Sequence, residues 1–227
     1  MSRLIHLVNF RLSIDSNDVD RSTVIHLGNN FFGNSRLKTV KMNLCARTTF
    51  HHIDQISSIE QFSIAWCSSQ ELTHLLRYTP NLYTLKATIC GVDPFEDLSK
   101  TFTHSRLYSL KLVTESIHFD DLLVFLRQFP QLRSLWLILN DHEYLNVDKW
   151  EDLLQNSLIN LDQLDLNIAL TKPLRFGQIN PLSACKKFNS KFWFDHGWSG
   201  KLNEYAHCVR LIISNNLMPI IKKLKKQ

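Results

Sequence analysis

LRSLWLILN, residues 132–140, places leucine at positions one, four, six and eight of a nine-residue frame. Leu135, Leu137 and Leu139 alternate with Trp136 and Ile138, the period-two pattern of a strand with one buried face. The frame recurs as LKTVKMNLC (37–45), IEQFSIAWC (59–67), LYTLKATIC (82–90), LYSLKLVTE (107–115) and LDQLDLNIA (161–169). The starts at 37, 59, 82, 107, 132 and 161 lie 22, 23, 25, 25 and 29 residues apart. LVNFRLSID, from Leu7, fits as an earlier unit at a longer interval. A fixed period in this range is the signature of a stacked array, in which each unit buries its apolar face only against its neighbours.

Positions four, six and eight form the expected inward face. They are Val40, Met42, Leu44; Phe62, Ile64, Trp66; Leu85, Ala87, Ile89; Leu110, Leu112, Thr114; Leu135, Leu137, Leu139; and Leu164, Leu166, Ile168. Between these strands the period turns helical. Leu72, Leu75 and Leu76 share one face of SSQELTHLLRYTP, and Leu122, Phe125, Leu126 and Phe129 share one face of FDDLLVFLRQFP. Trp150, Leu153 and Leu154 repeat the pattern. Asp93-Pro94-Phe95-Glu96 reads as a capping box, and Pro80 and Pro130 end helices and turn the chain toward the next strand. The expected fold is α/β: a solenoid with a curved parallel sheet on the concave side and helices on the convex side.

One domain over residues 1–227 accounts for the chain. Clear repeats cover about 4–170, irregular terminal repeats and a cap cover 171–215, and a basic tail occupies 216–227. The aromatics Phe192, Trp193, Phe194 and Trp198 are expected to cap the open end of the core, and Asp195-His196 reads as a loop. The net charge is +5, with a pI near 9.0 and a mean hydropathy of −0.14. Much of the basic excess sits in Lys222, Lys223, Lys225 and Lys226, a solvated helix end by its charge pattern. No apolar run approaches the length of a spanning helix, and the start has no extended apolar segment with a cleavage site. The expectation is an intracellular protein, cytoplasmic or nuclear, without membrane contact.

The ninth position holds Cys45, Cys67, Cys90, Glu115, Asn140 and Ala169. The chain turns there and leaves backbone groups in need of a hydrogen-bonding side chain. Cys45, Cys67, Cys90 and Asn140 therefore read as a structural turn ladder, whereas Glu115 marks a rung open to water. A zinc site with His51 or His52 is the competing reading. It lacks the compact ligand spacing such sites use, so no metal and no cofactor is expected. Cys185 and Cys208 fall outside the ladder. There is no phosphate-binding glycine loop, H-E-x-x-H or G-x-S-x-G, so the chain reads as a binder and not an enzyme.

Positions three, five and seven point away from the core toward the concave surface. The fifth position runs Lys41, Ser63, Lys86, Lys111, Trp136, Asp165, with Ile138 two residues beyond Trp136. A partner site is expected on Lys41, Lys86, Lys111, Trp136, Ile138 and Asp165, centred on Lys86, Lys111 and Trp136.

Cysteine at the turn, irregular periods of 22–29 residues and alternating helices resemble leucine-rich repeats of the ribonuclease-inhibitor-like type. Within these, ELTHLLRYTPNLYTLKA, DLLVFLRQFPQLRSLWL and the closing FNSKFWFDHGW followed by AHCVRLIIS resemble the substrate-receptor arms of F-box proteins. The resemblance implies target recognition for ubiquitin ligation. The F-box that contacts the Skp adaptor and cullin machinery has no counterpart here, because the repeats begin almost at Met1; it was lost or lies outside this chain. Two other readings stand beside it. One is nucleic-acid or other anionic-partner binding through the concave lysines and tail, weakened by only three lysines on that face. The other is an enzyme-inhibitor type of repeat protein.

Overall fold

The computed structural model describes residues 8–14, 32, 36–44, 55–91, 106–114, 116–171, 181–205 and 208–215. Its framework is one nine-stranded sheet. Strands β1 (Asn9–Ile14), β2 (Thr39–Leu44), β3 (Gln61–Cys67), β4 (Thr84–Ile89), β5 (Ser109–Thr114), β6 (Ser134–Leu139) and β7 (Gln163–Thr171) lie side by side in chain order, all parallel. This α/β arrangement, mostly parallel and open at both ends, is compatible with a repeat solenoid.

The frame found in the sequence is also the register of the sheet. Lys86 pairs Lys111, Lys111 pairs Trp136, and Trp136 pairs Asp165, so equivalent positions stand in columns across the strands. One backbone device recurs at every parallel step. The carbonyl of Val8 accepts from the amides of both Lys38 and Thr39, at 2.9 and 3.1 Å. Lys38 does the same for Glu60 and Gln61, Glu60 for Tyr83 and Thr84, and Tyr83 for Tyr108 and Ser109. Tyr108 then serves Arg133 and Ser134, and Arg133 serves Asp162 and Gln163. Each two-fold acceptor sits one residue after the unit's first apolar residue.

The buried face of the sheet meets the helices in a continuous core. Leu85, Leu110, Leu135 and Leu164 are buried, as are Leu112, Leu137, Leu139 and Ile168. Helix α1 (Ser69–Tyr78) starts on a capping box: Glu71 N–H donates to Ser68 Oγ at 3.1 Å, and Ser68 N–H donates to Glu71 Oε2 at 2.7 Å. Helices α2 (Phe119–Leu126) and α3 (Val147–Asn156) follow β5 and β6 and bury Leu122, Phe125 and Leu126, then Trp150, Leu153 and Leu154. The long interval before Leu161 is filled by a 3-10 turn over His142–Leu145, started by Asp141 Oδ1 accepting from Glu143 N–H. That turn buries Tyr144 against Phe119, and the Tyr144 carbonyl accepts from Trp150 Nε1 at 2.9 Å. The box expected at Asp93–Glu96 lies outside the described residues, as do Cys45, Glu115, His51, His52 and the basic tail.

Two placements differ from the sequence reading. Trp66 was expected inside, but a register shift between Ile64 and Cys67 turns it out, and Cys67 takes the inward place opposite Ile89. One extra residue in a strand reverses the facing of everything beyond it. The second difference is at the end of the array. The closing stretch CVRLIIS runs as β9 (Cys208–Ser214) antiparallel to β7, and β8 (Ser199–Glu204) pairs antiparallel to β9 at the sheet edge. The connection from Glu204 to Cys208 is a hairpin, far too short for a parallel crossover.

Helices α4 (Pro181–Lys187) and α5 (Lys191–Asp195) lie before this hairpin. Trp193 and Trp198 are buried there, and Trp193 Nε1 donates to Glu151 Oε1 at 2.8 Å, tying the end piece to α3. Helix α5 stops at Gly197, whose φ of 77° lets Trp198 N–H reach back to the Trp193 carbonyl. His196, beside Asp195, stacks its exposed ring on Trp198. Among the described residues no helix is long and apolar enough to cross a membrane.

Leu137→Ala should cost about 2–5 kcal/mol, because a fully enclosed leucine leaves a cavity. Gly197→Ala should cost only about 1 kcal/mol, the penalty of a Cβ in a left-handed conformation with open space around it. Urea unfolding of the two variants checks both the size and the order of the losses.

Candidate functional site

The outer face of the sheet carries the fifth-position column, and the structure extends it by one member. Arg11 pairs Lys41, which pairs Ser63, which pairs Lys86. The row then reads Arg11, Lys41, Ser63, Lys86, Lys111, Trp136, Asp165. Charge falls along it from a cationic end to an acidic one.

Lys111, Trp136 and Asp165 form a self-contained group. The Lys111 Nζ lies 3.4 Å from the centroid of the Trp136 ring. The indole, which can only donate, stands beside Asp165 on the neighbouring strand and favours its charged carboxylate. Burial from water, then repulsion by Lys86, hold the Lys111 amine below the ordinary lysine range, and Asp165 offsets part of this. Burial raises the Asp165 carboxyl, and Lys111 and the indole draw it part of the way back. A cation over an indole is worth about 0.5–2 kcal/mol, so the group orients its members more than it stabilises the fold. Trp136 is thus half-buried, with Ile138 half-buried on the next row and a hollow of about 270 Å³ toward Ser214 and Asn215.

The other half of the row is open. Arg11, Lys41, Ser63 and Lys86 line a cleft of about 460 Å³, with Asn43, Thr88 and the turned-out Trp66 beside them. Trp66 retains 39% of its surface in solvent. The sequence reading included Lys41 and Lys86 but missed Arg11 and Trp66. Arg11 was legible, being the fifth residue of LVNFRLSID. For Trp66 the one hint is an unbroken Ile64-Ala65-Trp66-Cys67, where four apolar residues in a row leave the alternation undefined.

The turn ladder is represented by Cys67, Cys90 and Asn140. Cys67 and Cys90 are brought together: Cys90 N–H donates to the Cys67 carbonyl at 2.9 Å, and Cys67 Sγ lies 3.8 Å from the Thr88 carbonyl. Burial pushes the Cys67 thiol far up, and Glu71 and Cys90 add to it, so it stays protonated and unreactive. Cys90 is half-buried, and Asn140, two rungs farther on, is exposed and not enclosed within its turn. Among the described residues no group of three or more His, Cys, Asp or Glu could hold a metal ion.

Comparison with protein-family models, with curated proteins and with solved structures finds no match to this chain.

Trp136→Phe removes the indole donor and should push the Asp165 carboxyl higher, and Lys111→Met should act in the same direction. A raised carboxyl favours the folded state most below its unfolded pKa and loses that advantage as pH rises through the folded one. Both variants should therefore lose stability more steeply across the carboxylate range. Carboxyl carbon chemical shifts against pH test this, and an unmoved or lowered Asp165 midpoint refutes it.

Proposed function

We propose that this chain is a leucine-rich-repeat solenoid that serves as a non-enzymatic protein-interaction scaffold, with its partner laid across the outer face of the sheet. The observation that supports this most is the row of registered side chains on that face. Seven strands present Arg, Lys, Ser, Lys, Lys, Trp and Asp in one line. Long cationic side chains and an oriented indole are contact chemistry. Target recognition of the kind made by the repeat arms of F-box receptors fits that surface. In that setting, Skp and cullin contacts would depend on an F-box outside the repeats.

A rigid sheet suits this role because its contact positions are fixed by backbone pairing and not by loop conformation. The end of the row at Asp165 also gives direction. A partner with an acidic and a basic end would dock one way round, since reversing it sets like charges together.

A nucleic-acid partner is the second reading, favoured by the cationic half of the row. It requires binding that weakens steeply as salt rises. A flat response in a filter-binding titration with oligonucleotides at low salt rejects it.

The protein reading is tested by affinity capture and mass spectrometry with the wild-type chain and a Lys86→Gln, Lys111→Gln, Trp136→Ala variant, whose fold is checked by circular dichroism. The variant should lose the specific partners, and co-capture of a Skp adaptor would mark the ubiquitin setting. An unchanged set of captured proteins removes this face as the site.

A further inference from the structure

We propose that the cleft lined by Arg11, Lys41, Lys86 and Trp66 seats an extended peptide segment with acidic side chains at every second residue and an apolar side chain against Trp66. This rests on the protein-binding reading above and names the chemistry of the segment it takes.

The cleft exists because a small residue interrupts the cationic row. Ser63 stands between Lys41 and Lys86 and leaves a floor where a third long side chain would otherwise fill the space. Among the described residues no carboxylate lines the hollow. Five cations elsewhere are paired, Lys38 with Glu60, Arg127 with Asp152, Arg133 with Asp162, Lys149 with Asp120 and Lys187 with Asp148, whereas the cleft gathers three that are not. Among the described residues, Arg11, Lys41 and Lys86 have no such ion-pair partner. Three like charges facing one hollow repel each other, and a ligand that supplies carboxylates removes that repulsion as it binds.

The spacing selects an extended chain. Strands stand roughly 4.8 Å apart, so the backbones of Arg11, Lys41 and Lys86 fall at about 0, 5 and 14 Å along the row. An extended segment laid across the strands places residues i, i+2 and i+4 at about 0, 7 and 14 Å on one side. The mismatch of about 2 Å at the middle position is within the reach of a flexible lysine stem.

Trp66 supplies the apolar half of the contact. The shift between Ile64 and Cys67 is what puts it on this face, and without it the indole would lie in the core. Bulges recur where a strand re-aims a side chain. A single exposed indole offers one hydrophobic anchor, whereas single-stranded nucleic acid is gripped by a series of aromatic platforms.

The test uses the full chain and fluorescence anisotropy. The probes are a labelled peptide with Glu alternating with Ser and one flanking Leu, an isomer with the same residues but contiguous Glu, a Gln version, and a thymidine oligonucleotide. The alternating peptide should bind, and the Gln version should bind at least about tenfold more weakly. Lys41→Gln with Lys86→Gln should lower affinity about tenfold, and Trp66→Ala about fivefold, while Lys201→Gln at the far edge changes nothing. Thermal melting confirms that each variant folds. Equal binding by the contiguous isomer, affinity unmoved by the double variant, or tighter binding of the oligonucleotide in physiological salt overturns the proposal. If those failures occur while the Trp136 variant still releases captured proteins, only the cleft assignment falls. If neither variant releases them, the protein-binding reading falls with it.

Discussion

Two amide protons on one carbonyl oxygen, repeated from Val8 to Arg133, tie each parallel strand to the next in the same way. Each such bond contributes only about 0.5–1.5 kcal/mol net. Burying a leucine contributes about 1.5–3 kcal/mol, so the cohesion comes from Leu110, Leu112, Leu135, Leu137 and their counterparts. Apolar contact is not directional, however, and would tolerate a slip by two residues. The bifurcated carbonyls recur at the same position of each unit, so they mark the register that the buried pattern and the turns select. They lie at the strand entrances, just ahead of the outer row that carries the candidate site, and the alignment holds through that row before the shift after Ile64.

The surface of the sheet follows from this alignment. A residue's neighbours across the strands are its equivalents in the adjoining units, so a change at one fifth position meets two others. Lys111 meets Lys86 on one side and Trp136 on the other, and its lowered affinity for the proton reflects burial and the first of these. Asp165, at the end of the row, answers to both Lys111 and Trp136. Chemistry is therefore distributed along rows and not held within any single unit.

What the sequence disclosed about the fold depended on how local the cause was. The alternation in LRSLWLILN and its five companions gave strands, facing and register, because a period of two leaves little choice once one face is buried. The helix at Ser69–Tyr78 was legible from Leu72, Leu75 and Leu76. The facing of Trp66 was not, since Ile64 to Cys67 are all apolar and either facing buries hydrophobic surface. The reversal of CVRLIIS was also hidden, because an alternating strand reads the same in parallel and antiparallel pairing. For the candidate site, Lys41, Lys86, Lys111, Trp136, Ile138 and Asp165 were legible from facing alone. The mutual engagement of Lys111, Trp136 and Asp165 required coordinates, because side-chain reach across strands is set by rotamers.

The reversed strand β9 bears on how such a chain can change in length. Parallel units are interchangeable: each accepts a neighbour on either side through the same carbonyl, and a stretch of about 25 residues could be duplicated or deleted between Lys38 and Arg133 with the contacts re-formed. β9 offers the opposite polarity, and β8 beyond it offers an edge that a further parallel unit would meet in a different hydrogen-bonding pattern. The antiparallel hairpin is a terminator in the polymer sense. Growth of the array past that end is blocked, and each unit inserted before it would lengthen the outer row by one side chain while leaving its acidic end at Asp165 in place.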